Sequence, residues 1–150
     1  MEDPRISIAN LLYLYAERID RGDFEGVADL FADAEITADG TDVTTRGRDA
    51  VLAMYRSTTR LHGNSTPRTQ HVVTNPVIEV DEGAGRARSR SQFTVLQSVP
   101  GELALQPVIA GRYHDTFIRE GIRWRFASRH MIVDLVGDLS QHLLFDLPEA

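Results

Sequence analysis

Apolar positions in the first third of the chain recur with helical spacing. Ile8, Leu11, Leu12, Tyr15 and Ile19 follow an i, i+3, i+4, i+7 pattern, which predicts a helix with one buried face. Gly22 in "DRGDF" breaks that helix, and Asp23 suits the N-cap of a second, with Val27, Leu30 and Phe31 on its apolar side. "AEITADGTDVTTRG" contains an Asp39-Gly40 turn signal and predicts a short strand or hairpin. "RDAVLAMYRSTTR" predicts a third helix, with Val51, Met54, Tyr55 and Thr58 facing inward.

From about Thr69 the period shortens to two. "TQHVVTNPVIEV", "RARSRSQFTVLQS", "QPVIAGRYHDTFIRE" and "IRWRFASRHMIVDLV" are four strand-like runs, joined by the turn-forming segments "DEGAG", "VPGE" and "REG". Helices followed by a run of antiparallel strands predict an α+β fold, with the helices packed on one face of a curved sheet. The 150 residues, with no repeat, linker or low-complexity segment, are read as one domain over 1–150. A sheet curled over helices forms a cone, and its open end is a natural small-molecule pocket.

Alternation assigns faces. His71, Val73, Asn75 and Val77 should share one face of the first long strand, so two polar groups sit among valines. Ala87, Ser89, Ser91, Phe93 and Val95 make a small, neutral face on the next strand, opposite Arg86, Arg88, Arg90 and Gln92. Arg112 and His114 share a face of the third. On the last, Trp124, Phe126, Ser128 and His130 alternate with Arg125, Ala127, Arg129 and Met131. One of Arg129 and His130 should face the pocket, and the pattern alone does not choose, because a bulge would exchange them.

Composition narrows the partners. The formal net charge is −6, so a phosphate backbone would be repelled and no nucleic-acid partner is expected. No apolar run is long enough to span a bilayer. The N-terminus lacks a signal-peptide core, so a soluble, cytoplasmic protein is expected. The chain has no cysteine, which removes disulfides, thiolate metal sites and cysteine nucleophiles. G-x-S-x-G, P-loop, H-E-x-x-H and G-x-G-x-x-G signatures are absent. The five histidines show no helical ligand spacing, so neither a metal nor another cofactor is expected.

"LLYLYAERIDRGDFEGVADLFADAEI", "RTQHVVTNP" and "GRYHDTFIREGIRWRFASRHMI" together resemble the SnoaL-like branch of the NTF2-like, or cystatin-like, superfamily. The resemblance covers nearly the whole chain. It implies a cone of N-terminal helices on a strongly curved, mostly antiparallel sheet, and a trimeric or dimeric homo-oligomer. Characterised members such as scytalone dehydratase, bile-acid 7α-dehydratase and hexachlorocyclohexane dehydrochlorinase are cofactor-free lyases. By position, the resemblance implies Asp20 and His71 as a catalytic pair, with Tyr15 and Arg129 beside them. It departs from scytalone dehydratase at Ala110 and Arg112, which replace a serine and an asparagine, and near Ser91 and Gln92, where a second histidine is missing.

The chemistry of such a pair is simple. An imidazole is a natural base near neutral pH. A carboxylate on one ring nitrogen fixes the tautomer, aims the other nitrogen and stabilises the imidazolium. The expectation is that His71, backed by Asp20, removes a proton from a small, mostly apolar hydroxylated carbonyl or ring compound in a β-elimination. Tyr15 and Arg129 would polarise a carbonyl or assist the leaving group, and Asn75, Arg112, Ser91 and His114 would bind substrate. The same base would serve an isomerase or a polyketide cyclase. A non-catalytic ligand-binding or assembly module would not need Asp20 and His71 within hydrogen-bond reach. Tyr15 and Asp20 lie about 140° apart on an ideal helix, so Asp20 reaches the pocket only by virtue of the helix end. Leu139, Leu143 and Leu144 in the tail would close the pocket mouth or dock on a neighbouring subunit.

Overall fold

The computed structural model describes residues 2–147. Helix α1 spans Pro4–Asp20, α2 Phe24–Leu30 and α3 Gly47–Thr58; the strands are β1 Glu35–Ala38, β2 Thr45–Arg46, β3 Thr69–Asp81, β4 Arg86–Val99, β5 Leu103–Glu120 and β6 Arg123–Val136. Asp3 caps α1 by accepting from the Arg5 amide at 2.9 Å, with Pro4 in the first turn, where its missing N–H costs nothing. Ile8, Leu12, Tyr15, Ala16 and Ile19 form its buried stripe. Gly22 ends the run at φ 73°, where a Cβ would lie 2.3 Å from the Ser65 carbonyl oxygen, so both conformation and space require glycine. Asp23 then caps α2 through the Gly26 amide at 2.8 Å.

The strands form one curved sheet in the order β2-β1-β6-β5-β4-β3. Every pairing is antiparallel except β1 with β6. The expected hairpin at Asp39-Gly40 is the β1–β2 pair. The helices cover the concave face, and Phe31 of the α2 C-cap stacks on Phe126 at 4.5 Å between ring centres. Among the described residues, no helix is long and apolar enough to cross a membrane.

Two irregularities overturn the face assignments. On β3 the register shifts between Thr74 and Val77. Asn75 sits there at φ 54°, a left-handed conformation that asparagine tolerates, and Pro76 follows with no N–H for the ladder. The inserted residue changes parity: His71 and Val73 face inward, but Ile78 and Val80 replace Asn75 and Val77 on that side. On β6, Phe126 pairs with Phe117 while Ser128 pairs with Thr116, which leaves Ala127 as the extra residue. Trp124 and Phe126 are therefore followed on the inner face by Arg129 and Met131, not by Ser128 and His130.

Candidate functional site

The open end of the cone holds a cavity of about 310 Å³. Its walls are Tyr15 and Ile19 of α1, Tyr55 of α3, His71 of β3, Phe93 and Val95 of β4, Tyr113 of β5 and Met131 of β6, closed by residues of the C-terminal segment. Among the described residues, no Asp, Glu, Lys or Arg lines it. A second hollow, about 460 Å³, lies at the far end of the sheet between Glu79 and Ala127. It is shallow and open, its rim carries the surface ion pair of Arg88 and Glu79, and no histidine is among the described residues that line it.

Asp20, the last residue of α1, reaches across to the start of β3. Its Oδ1 lies 2.6 Å from His71 Nδ1 and accepts the Thr69 hydroxyl at 2.9 Å, while Oδ2 accepts the His71 backbone N–H at 2.8 Å. Three donors thus fix one carboxylate. Because an ionised carboxylate only accepts, His71 carries its proton on Nδ1, and neutral imidazole then has its lone pair on Nε2. The side chains are 6% and 19% exposed for His71 and Asp20 respectively. The helix end, not the helix face, delivers Asp20, as the 140° separation from Tyr15 required.

Tyr15 stands edge-on to His71, with 6.0 Å between ring centres, and its hydroxyl lies 3.0 Å from that of Tyr55. Burial pushes the phenols of Tyr55 and Tyr113 well above their ordinary range, so both keep their protons and can donate. Sequence reasoning read Tyr55 only as a core position and gave Tyr113 no role.

Arg129 is not a cavity residue. It forms a two-point ion pair with Asp115, Nε to Oδ1 at 2.8 Å and Nη2 to Oδ2 at 3.1 Å, and both side chains are 0% exposed. The guanidinium carbon lies 3.7 Å from the Tyr113 ring centre and 4.4 Å from that of Tyr15, a cation–π cage between charge and cavity. Burial works to lower the guanidinium's pKa, but Asp115 overrides it and holds it raised. Burial also raises the Asp115 carboxyl, and the Arg129 charge opposes that rise. The expected direct contact of Arg129 with a substrate is therefore corrected: the bulge turns it inward, but behind the tyrosines. His130 points the other way, within 2.7 Å of the Thr37 hydroxyl and of Asp39.

The four expected substrate-binding residues are also corrected. Asn75 donates to Gln92 Oε1 at 2.8 Å on the outer face, Arg112 there forms a two-point pair with Asp134, and His114 shares that outer surface. Ser91 does face inward, but it is sealed without a hydrogen-bond partner and does not line the cavity.

The tail supplies what the sequence reading lacked. His142 and Leu143 line the cavity with Phe145 and Leu147, so the expected closure of the mouth involves this segment. His142 is 6% exposed, its ring centre 6.1 Å from that of His71. Burial lowers its pKa to about 4, helped by the neighbouring His71, so the ring is neutral near pH 7. Its Nδ1 is buried without a partner, a loss of about 1–3 kcal/mol for such a group. No motif marks His142. Its only sequence signal is an imidazole next to Leu143 and Leu144 in an otherwise polar tail. Among the described residues, no three His, Cys, Asp or Glu side chains converge as metal ligands.

A family model for the SnoaL-like domain matches residues 3–130. No curated protein matches the sequence. Among solved structures, a Mycobacterium tuberculosis protein described as of unknown function is 27% identical with a TM-score of 0.70, over 87% of this chain and 72% of that one. An NTF2-like protein with a cystatin-like fold from Novosphingobium aromaticivorans is 22% identical with a TM-score of 0.71, over 86% and 80%. A protein from the same organism titled "Putative Scytalone Dehydratase" is 23% identical with a TM-score of 0.70, over 90% and 87%. The likeness to the latter two establishes the α+β, NTF2-like fold.

Proposed function

We propose that this chain, which belongs to the SnoaL-like domain family, is a cofactor-free lyase that removes water from an uncharged, mostly apolar β-hydroxy carbonyl or hydroxylated ring compound. The observation that carries the reading is the 2.6 Å contact of Asp20 with His71 Nδ1, which orients a base toward an apolar cavity. His71 Nε2 takes the proton next to the carbonyl, and Asp20 stabilises the imidazolium that forms. The phenols of Tyr15, Tyr55 and Tyr113 line the same cavity and donate to the carbonyl oxygen as it gains charge. Arg129, caged behind Tyr15 and Tyr113, contributes its field and not a contact. The uncharged lining among the described residues favours a neutral substrate, because burying an unpaired charge there would be costly.

An isomerase or a polyketide cyclase would begin with the same proton abstraction, and the fate of the resulting enolate separates them. The test is 4-hydroxy-4-phenylbutan-2-one, followed in the ultraviolet as the conjugated enone forms. Wild-type protein should speed its dehydration, and His71→Gln should return the rate to that of buffer. Equal rates for the two proteins would remove the base reading and leave a binding module.

A further inference from the structure

A buried imidazole makes a poor plug. Leucine or phenylalanine would close the cavity mouth without leaving an unpaired nitrogen. Yet the backbone around His142 is pinned on both sides. The Arg60 amide donates to the His142 carbonyl at 2.8 Å and the Leu144 amide to the Thr58 carbonyl at 2.9 Å. Gln97 Nε2 lies 2.8 Å and His62 Nε2 2.9 Å from the carbonyl oxygen of Gln141. The ring itself makes no hydrogen bond to any other described residue, and of its two nitrogens only Nδ1 is sealed off. The segment holds its main chain rigidly and leaves Nε2 for a guest.

We propose that His142 is a second catalytic residue, whose neutral imidazole donates from Nε2 to the oxygen that leaves the substrate while His71 removes the proton. This rests on the dehydratase reading above. Two hydrogen bonds of about 2.8 Å through one shared oxygen span up to about 5.6 Å between nitrogens, and with the ring centres of His71 and His142 6.1 Å apart the two imidazoles are close enough to engage the same substrate. The steps balance. His71 takes the proton from carbon, the C–H electron pair becomes the new C=C bond, and the C–O pair leaves with oxygen. The departing hydroxide, held by His142, receives from the His71 imidazolium the proton just taken and becomes water. His142 begins and ends neutral, which its burial favours. A neutral imidazole serves as a donor in this way when its cationic form is suppressed.

The experiment compares two probes on the full chain. 4-Hydroxy-4-phenylbutan-2-one must expel hydroxide and needs the donor. 5-Nitrobenzisoxazole also loses a carbon-bound proton, but it expels a stabilised phenolate and needs little help. His142→Phe should slow the hydroxyketone about 30-fold or more and the benzisoxazole far less, roughly threefold, as expected when a donor matters only to a poor leaving group. His142→Gln, which keeps an N–H, should recover part of the loss. His71→Gln should abolish both reactions. If His142→Phe slows both probes equally, or neither, His142 is only a wall of the cavity and the inference is overturned. Wild-type turnover of the benzisoxazole alone overturns it too, since no hydroxide is then being expelled. If His71→Gln leaves both rates unchanged, the base reading itself fails.

Discussion

Two carboxylates in this cone each hold a basic side chain, and their surroundings differ. Asp115 and Arg129 are 0% exposed, sealed inside Tyr15, Phe31, Tyr113 and Phe126. Asp20 and His71 have one side open, and His71 lines the cavity. The sealed pair neutralises its own charge, and although Arg129 Nη1 is left without a partner it is buried outside the cavity lining, so the pair offers a ligand only its field. In the open pair the carboxylate is fully used by Thr69, the His71 amide and the His71 ring, while one ring nitrogen stays free. Placement, more than charge, separates a structural pair from a reactive one.

Cutting each pair should therefore have opposite consequences. The largest effect expected is on rate: His71→Gln should lower hydroxyketone turnover by about 10²–10⁴-fold, the usual contribution of a positioned base, with little change in the urea midpoint. On the sealed side, Asp115→Ala leaves Arg129 buried and unpaired and should destabilise the fold by about 3–5 kcal/mol. Urea unfolding would measure it. Replacing both members together, Asp115→Leu with Arg129→Met, should cost less than the single change, and a double variant as unstable as Asp115→Ala would break the comparison. Asp20→Asn sharpens it from the other side. The amide can donate back to Nδ1 and favour the wrong tautomer, so hydroxyketone turnover should drop by about 10²-fold or more.

The smallest effect concerns pH. The His142 pKa is about 4 in the folded chain, against about 6.5 for an ordinary histidine. Between those values the unfolded chain binds a proton that the folded chain does not, so stability falls as pH falls. By pH 5 the loss from this group should reach about 2 kcal/mol, and below about pH 4 it should stop growing. Charged or titratable neighbours are His71, Asp20 and His62. Thermal midpoints between pH 7 and 5 should fall more steeply for wild type than for His142→Phe, and parallel slopes would show that His142 titrates freely.

Much of this was legible. The helix boundaries follow from apolar spacing, Gly22 and Asp23, and the four long strands from alternation and turn residues. The family resemblance, with the helix-end position of Asp20, pointed to the Asp20–His71 pair, and the geometry brings the two within 2.6 Å. What failed did so at particular residues. Asn75 was carried to the outer surface by the shift before Val77, and between Arg129 and His130, which the pattern left open, the extra residue Ala127 turned Arg129 inward. Strict alternation could not anticipate either, because one inserted residue reverses every side chain beyond it. Arg112 and His114 lie on the convex face for a simpler reason: alternation pairs residues on a face but does not say which face is concave.

The sequence by itself determined the elements, their order and the local chemistry of each segment, since caps, turns and periodicity act over a few residues. Tertiary structure alone decided which side chains meet. Asp115 closes on Arg129 through the pairing of β5 with β6, and His142 reaches His71 because Thr58 at the end of α3 and Arg60 just after it hold the tail across the cavity mouth. Those contacts join residues far apart in the chain. Their geometry follows from sheet register and closure, which no local pattern encodes.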